Sequence, residues 1–217
     1  MDILYSDNKI VVCVKPRGVL STDEAGGVPS LLRRELGDEK APIYAVHRLD
    51  APVGGVMVYA RTRHAASDLG QDIRHNGFHK EYLAVVHGRT PAESGVFRDW
   101  LLRDRGKKKT FAVSAPEKGA QEAALEYSRL AETAGLSLVR IVLLTGRTHQ
   151  IRSQFASRGM PLWGDRKYGA GDGGSVALWS NLLRFPHPLT GETMEFIAPP
   201  PAEEPWTAFK ELLWKQR

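Results

Sequence analysis

Two short segments far apart in the chain, His47-Arg48-Leu49-Asp50 and Gly146-Arg147-Thr148-His149-Gln150-Ile151-Arg152, pair a lone carboxylate with guanidinium groups. An arginine beside a half-buried carboxylate keeps it ionised and orients its oxygens through a forked pair of hydrogen bonds. If Asp50 and Arg152 meet in space, the pair is a poised nucleophile, and in a basic protein that combination points to chemistry on RNA. Taken singly, either residue reads as a structural or solvated ion-pair member, the commoner fate of such charges.

The chain has 217 residues, with 30 Lys and Arg against 25 Asp and Glu, a net +5 that favours a polyanionic partner without requiring one. The distribution says more than the sum. Arg103-Asp104-Arg105-Gly106-Lys107-Lys108-Lys109 places five positive charges in seven residues between two candidate strands. Such a hairpin tip either grips phosphates or is a solvated loop, and Lys107, Lys108 and Lys109 are the candidates for RNA contact. A 42% hydrophobic content is enough for one large domain or two small lobes. Cys13, the only cysteine, sits in the apolar run Ile10-Val11-Val12-Cys13-Val14 and is expected in the core. No Cys/His cluster has zinc-ligand spacing, so no metal is expected. A secretory apolar segment is missing and no stretch approaches the ~20 apolar residues of a membrane span, so the chain reads as a soluble cytoplasmic protein.

The elements that must position these residues follow from periodicity and punctuation. Ile10 to Val14 reads as a strand stopped by Lys15-Pro16-Arg17-Gly18, and Ser30 to Leu36 as a short helix. Val53 to Ala60 is a second strand, in which Gly54-Gly55 lets another backbone or a ligand come close. Ala66, Leu69 and Ile73 have helical spacing within a helix from Ala65 to His75. Strands follow at Tyr82 to Val86, Thr110 to Ser114, Ala123 to Leu130 and Leu136 to Leu144, the last running into Gly146. Thr148 to Arg158 reads as a helix with Thr148 as N-cap, stopped by Gly159 and Pro161. A glycine-rich loop spans Ala170 to Ser175, closing strands Leu178 to Phe185 and Thr193 to Ile197, and a final helix Pro205 to Lys215.

Two familiar chemistries compare poorly. His47-Arg48-Leu49-Asp50 has the wrong order for a kinase catalytic loop, and neither a phosphate-cradling glycine loop nor Asp-Phe-Gly accompanies it. Paired-carboxylate glycoside hydrolysis by Asp50 and Asp165 is a closer rival, and the basic charge restricts it to a nucleic-acid glycosidase.

Asn8 to Ser21 with Lys15-Pro16-Arg17-Gly18, then His47-Arg48-Leu49-Asp50 with Gly55, then Lys80-Glu81-Tyr82-Leu83-Ala84 with Gly88, resembles the opening half of the RluA-type pseudouridine synthases. The second half agrees through Thr145 to Arg152, Gly159-Met160-Pro161, Gly164-Asp165, Tyr168-Gly169 and Phe185-Pro186-His187-Pro188. The blocks keep the family order over nearly the whole chain. The resemblance implies an α+β fold, a mixed and mostly antiparallel central sheet flanked by helices and loops, with a basic catalytic cleft, in a single domain over 1–217. It implies an enzyme that isomerises uridine in ribosomal or transfer RNA without cofactor or metal, and a monomer working on structured RNA.

Residue by residue, the resemblance makes Asp50 the catalytic aspartate, Tyr82 the active-site tyrosine near the target base, and Arg152 the basic residue paired with the aspartate. Arg48 matches an arginine that displaces the target base, as an enzyme working inside a folded loop requires. Leu178 falls near the apolar position that packs on the uracil, and Arg147 and His149 belong to the second motif's substrate-side signature. His149 and Gln150 are expected to hold their loop by hydrogen bonds, and Asp165 to be a turn residue. Without the resemblance, Tyr82 is an ordinary strand tyrosine, Leu178 plain core and Arg48 a phosphate clamp.

The chain departs from the family at Ala51-Pro52, where Thr and Ser are common, and at Trp179, where His is frequent. The sequence leaves no room for an N-terminal S4-type RNA-binding module, so specificity is expected to come from the catalytic domain and the shape of an RNA loop. A catalytically silent RNA chaperone and an RNA glycosidase stay open as other readings, and the chemical route at Asp50 is not legible.

Overall fold

The computed structural model describes residues 1–75 and 77–214. In chain order its elements are β1 (Ile3–Ser6), β2 (Ile10–Lys15), α1 (Val28–Glu35), β3 (Tyr44–Ala45), β4 (Gly54–Ala60), α2 (Arg63–Arg74), β5 (His79–His87), β6 (Ser94–Asp104), β7 (Lys109–Val113), β8 (Gln121–Thr133), β9 (Leu136–Leu143), α3 (Gln150–Ala156), β10 (Leu178–Pro186), β11 (Thr193–Ile197) and α4 (Lys210–Leu213). The fold is α+β and its strands pair mostly antiparallel. Two compact units divide the chain, Met1–Lys80 with Trp179–Pro199, and Glu81–Leu178 with Pro200–Arg217. Among the described residues no helix is long and apolar enough to cross a membrane.

In the first unit every residue of β4 is buried, because both of its faces are covered, and its sequence is accordingly a continuous apolar run. Strand β2 pairs antiparallel with β4, from Ile10 opposite Ala60 to Lys15 opposite Gly55. On the other side Trp179 and Ser180 of β10 lie parallel to Gly54 and Gly55. The core joins Ile10, Val12, Val56, Val58, Leu183 and Phe185 with Leu69 of α2. Cys13 is buried, as its apolar run predicts. Thr62 caps α2 by accepting from the Ala65 N–H, so the helix starts two residues earlier than its apolar spacing shows. Helix α1 also starts early, with Pro29 in its first turn, where a missing N–H costs nothing.

The second unit is an antiparallel run in which β9 pairs with β5 and β8, β8 with β6, and β6 with β7. Strand β6 was not legible as a strand because its charged and polar residues alternate irregularly with apolar ones. Helix α3 is buried from Gln150 to Phe155. Phe155 meets the rings of Phe97 and Tyr127 beneath it. The expected N-cap at Thr148 is corrected: the helix begins at Gln150, behind His149 in the left-handed conformation at φ 53°. Gln150 Oε1 accepts from Thr145 Oγ1 and the Arg147 N–H and so ties the turn before the helix to its first residue, while His149, at the N-cap position, makes no side-chain cap hydrogen bond. The C-terminal helix is also corrected, to a 3-10 turn over Trp206–Phe209 followed by the short α4, and Lys215 lies outside the described residues.

The Gly54-Gly55 pair admits a backbone. A methyl group at Gly55, where φ is 120°, would stand 2.2 Å from the Ser180 carbonyl oxygen, whereas Gly18, at φ 81°, has nothing within 4 Å. Gly55→Ala is therefore expected to destabilise the protein by at least about 3 kcal/mol in urea unfolding, through clash and backbone strain together. Gly18→Ala should cost about 1–2 kcal/mol from backbone strain alone, and equal losses at the two sites would contradict the packing at Ser180.

Candidate active site

Asp50 is half-buried on the loop that feeds β4, and each side of it is fastened. On the N-terminal side, Ser21 Oγ donates to the Leu49 carbonyl at 2.9 Å and the Leu49 N–H donates back to Ser21 Oγ at 3.1 Å, while Tyr59 Oη donates to the Ser21 carbonyl. On the C-terminal side, the Lys15 ammonium is fully buried and donates to the carbonyls of Pro16, Ala51 and Val53 at 3.0, 3.1 and 2.7 Å. The Gly18 N–H also donates to Ala51, and the Val53 N–H to Asp50 itself. Burial pushes the Lys15 ammonium down to about 8, against the opposing influence of Asp50 and Cys13.

His47 anchors the start of the loop by accepting the Val58 N–H at Nε2. Burial, with the Lys80 cation nearby, pushes its imidazole down to about 3, so the ring is the neutral acceptor this bond requires. Its neighbour Arg48 is exposed. The loop is thus a rigid mount with one cation pointing out and one carboxylate half in.

The second unit holds the other group of candidates. The Arg152 guanidinium forms a forked pair with Asp165, Nε to Oδ2 at 2.7 Å and Nη2 to Oδ1 at 2.8 Å, both residues buried. It also stacks over the Tyr168 ring at 5.1 Å. Tyr168 Oη accepts the Thr110 N–H and lies 2.9 Å from His149 Nδ1. Burial raises the phenol above its ordinary value, so the hydroxyl keeps its proton. One short 3-10 turn, Arg166–Tyr168, therefore orients both Arg152 and His149. Asp165, read from the sequence as a turn residue and weighed as the second acid of a glycosidase, is held in the fork with Arg152 and is not a free second acid for glycoside hydrolysis.

Residues 9–157 match the family model described as RNA pseudouridylate synthase. The chain belongs to that family. It is 33% identical over 213 residues to the Uncharacterized RNA pseudouridine synthase YhcT of Bacillus subtilis (strain 168), covering 94% of this chain and 70% of that one. It is also 33% identical to the Dual-specificity RNA pseudouridine synthase RluA of Escherichia coli (strain K12), covering 91% of this chain and 92% of that one. Its fold is that of the solved Human RNA Pseudouridylate Synthase Domain Containing 4, with a TM-score of 0.78 at 24% identity over 92% of this chain and 88% of that one.

As a pseudouridine synthase the chain is an isomerase acting on RNA. Tyr82 is buried in β5 opposite Ile141, and Leu178 is buried at the start of β10. Arg147 is exposed and donates from Nε to the Glu122 carbonyl. Gln150 holds its loop through Ala124, Thr145 and Arg147, the part expected of it. The basic run forms a true hairpin tip between β6 and β7, with Lys107 and Lys108 exposed and Lys109 half-buried. Lys107 and Lys109 lie over Phe111, and Lys167 Nζ donates to the Lys108 carbonyl. A separate hollow of about 410 Å³, lined by Tyr5, Asp7, His187 and Glu192 among others, contains none of these residues.

Lys15, Ser21 and Tyr168 are the positions that residue chemistry alone did not single out. A lysine before Pro-x-Gly reads as a turn cation, and only its burial shows otherwise. Removing one partner of a buried ion pair leaves the other uncompensated. Asp165→Asn is accordingly expected to lower stability by about 3–5 kcal/mol in denaturant unfolding, and a change under about 1 kcal/mol would show that Arg152 does not depend on Asp165.

Proposed function

We propose that this pseudouridine synthase converts a uridine in a ribosomal or transfer RNA stem-loop into pseudouridine, with Asp50 as the catalytic carboxylate. In this reading both units work as one catalytic domain, in the cytoplasm, as a monomer. The carboxylate detaches uracil by breaking the N1–C1′ bond; the base turns, C5 bonds to C1′, the C5 hydrogen leaves to solvent, and N1 takes up a proton. Atoms balance without a cofactor. Tyr82 lies by the base, Leu178 packs on it, Arg152 is the cation of the site, Arg48 fills the place vacated by the flipped nucleotide, and Arg147 and His149 line the RNA side.

The observation that carries the reading is the mounting of Asp50, a carboxylate held half-open on a loop fixed before and after it, within the motif order of the family. A positioned carboxylate needs such rigidity, because an error of about 1 Å costs on the order of a hundredfold in rate. The names of relatives add weight, including Ribosomal large subunit pseudouridine synthase D of Vibrio vulnificus (strain CMCP6), which is 35% identical over 224 residues.

Two measurements test it. Tritium at uridine C5 in total transfer and ribosomal RNA should be released by the wild type and stay at background with Asp50→Asn, with no free uracil. Free uracil would mean a glycosidase, and release by the variant would remove Asp50 from the chemistry. For the β6–β7 hairpin, changing Lys107, Lys108 and Lys109 to Ala should flatten the log–log salt dependence of RNA binding by about 2, at roughly 0.7 per lost phosphate contact. An unchanged slope would exclude the hairpin from the RNA interface.

A further inference from the structure

We infer that β11 is a docking edge for a protein partner: an extended peptide that alternates apolar and cationic residues adds as a strand along Thr193–Ile197, beside the hollow walled by Tyr5 and Glu192. The inference is independent of which carboxylate performs the isomerisation.

The hollow of about 410 Å³ is lined by four consecutive residues of one strand, Thr193 to Phe196. Successive side chains of a strand point to opposite faces, so four in a row line one cavity through the edge of the strand rather than through either face. Among the described residues β11 pairs with β10 alone, from Leu182 opposite Ile197 to Pro186 opposite Thr193. Strand β1, which supplies Tyr5 to the opposite wall, is also an outer strand and pairs with β2. A strand edge with no neighbour is a template for one more strand, and main-chain hydrogen bonds then supply the affinity.

The walls are fixed before any ligand arrives, which lowers the ordering cost of binding. Phe196 stacks on Phe185 with centroids 6.0 Å apart, Tyr5 meets Phe196 at 6.0 Å, and both pack with Met194 against the core of the first unit. His187 ties the two turns at the end of the hollow. Its Nδ1 accepts from the Leu189 and Thr190 N–H groups, each at 3.3 Å, and its Nε2 donates to Asp7 Oδ2 at 2.9 Å. Asp7 also accepts from the Lys9 and Ile10 N–H groups and from Tyr5 Oη, so its oxygens are taken.

The chemistry of the two faces selects the partner. Met194, Phe196 and Tyr5 make an apolar inner face, and Leu189 at the rim is 65% exposed. Glu195 lies on the outer face and Glu192 at the end of the strand, and no described lining residue is a lysine or arginine, although the chain carries +5 overall. Glu192 receives a hydrogen bond from Thr190 Oγ1 at 3.4 Å. Glu195 meets Arg184 of β10 at 3.5 Å, an exposed pair that contributes little and can rearrange. Carboxylates at this edge repel an RNA backbone. An incoming strand complements them with apolar residues over Met194 and Phe196 and with cations facing Glu192 and Glu195. Arginine suits the site better than lysine, because its planar guanidinium both forks a carboxylate and stacks on an aromatic ring such as Tyr5.

The probe is a short acetylated peptide alternating valine and arginine, titrated into the full chain labelled with 13C at the methionine methyls. The Met194 signal should shift while that of Met57, buried in β4, stays in place. Amide hydrogens of Thr193 to Ile197 should exchange more slowly in the complex. Glu192→Gln combined with Glu195→Gln should weaken binding about tenfold, a few-fold for each lost contact. The same double variant should release tritium from C5-labelled RNA at the wild-type rate, since neither residue belongs to the catalytic machinery.

A peptide N-methylated along its backbone that binds as tightly as the parent would overturn strand addition, and a glutamate-for-arginine peptide that binds equally would overturn the charge match. An equal Met194 shift with spermine alone, or with oligouridine, would replace the peptide by a small cation or by RNA. Self-association in sedimentation that the double variant abolishes would make a second copy of the chain the occupant. A Met194 signal that stays still at millimolar peptide removes the docking edge altogether.

Discussion

Three backbones converge at Gly54-Gly55, and the candidate chemistry of the first unit depends on that convergence. Strand β4 has no exposed face, β2 reaches its end opposite Gly55, and Ser180 of β10 approaches so closely that no side chain fits between them. Ser180 Oγ then donates to the Val56 carbonyl, which ties β10 to β4 a second time. A strand held this tightly cannot slide, so the loop leaving its first residue has a fixed point of departure. Asp50 lies four residues upstream, and its position follows from a packing constraint that contains no catalytic group.

The two units bury a cation each, by different physical means. Arg152 faces a carboxylate in a forked pair, where mutual attraction offsets desolvation and a guanidinium does not titrate in the working range. Lys15 faces neutral carbonyls, which satisfy its hydrogen bonds but leave much of the cost of desolvation in place. One cation is therefore permanent and the other lies within reach of ordinary pH changes. The difference follows from which polar atoms the local chain offers, a 3-10 turn with an aspartate in one case and a bare main-chain loop in the other.

What could be read from the sequence followed the strength of each local signal. The runs around Ile10 and Val56 declared themselves because buried strands are apolar throughout, and the basic hairpin tip because charge excluded it from the core. Strand β6 escaped, since a half-exposed strand with two arginines and two aspartates carries no clean period. The start of α3 was misread because the turn from Thr145 to His149 is tied down by the Gln150 side chain, a contact that no N-cap rule anticipates. Among the candidate residues, motif order singled out Asp50, Tyr82 and Arg152 for their proposed roles, whereas the Arg152–Asp165 fork and the burial of Lys15 were not legible. Both depend on tertiary contacts between residues 13 and more than 30 positions apart.

The departures from the family pattern at Ala51-Pro52 and Trp179 have local structural explanations. Ala51-Pro52 removes two hydroxyls beside Asp50, yet the loop has little use for them: Pro52 has no N–H to satisfy, and the carbonyls of Ala51 and Val53 are both taken by Lys15. Trp179, in place of a histidine, donates its indole N–H to the Ala198 carbonyl and lays its ring against the space that Gly54 leaves open. Both changes are thus absorbed by main-chain hydrogen bonds and packing. A sequence preference for one RNA over another needs groups that reach the solvent, and the exposed Arg48 and the lysines of the β6–β7 hairpin are of that kind.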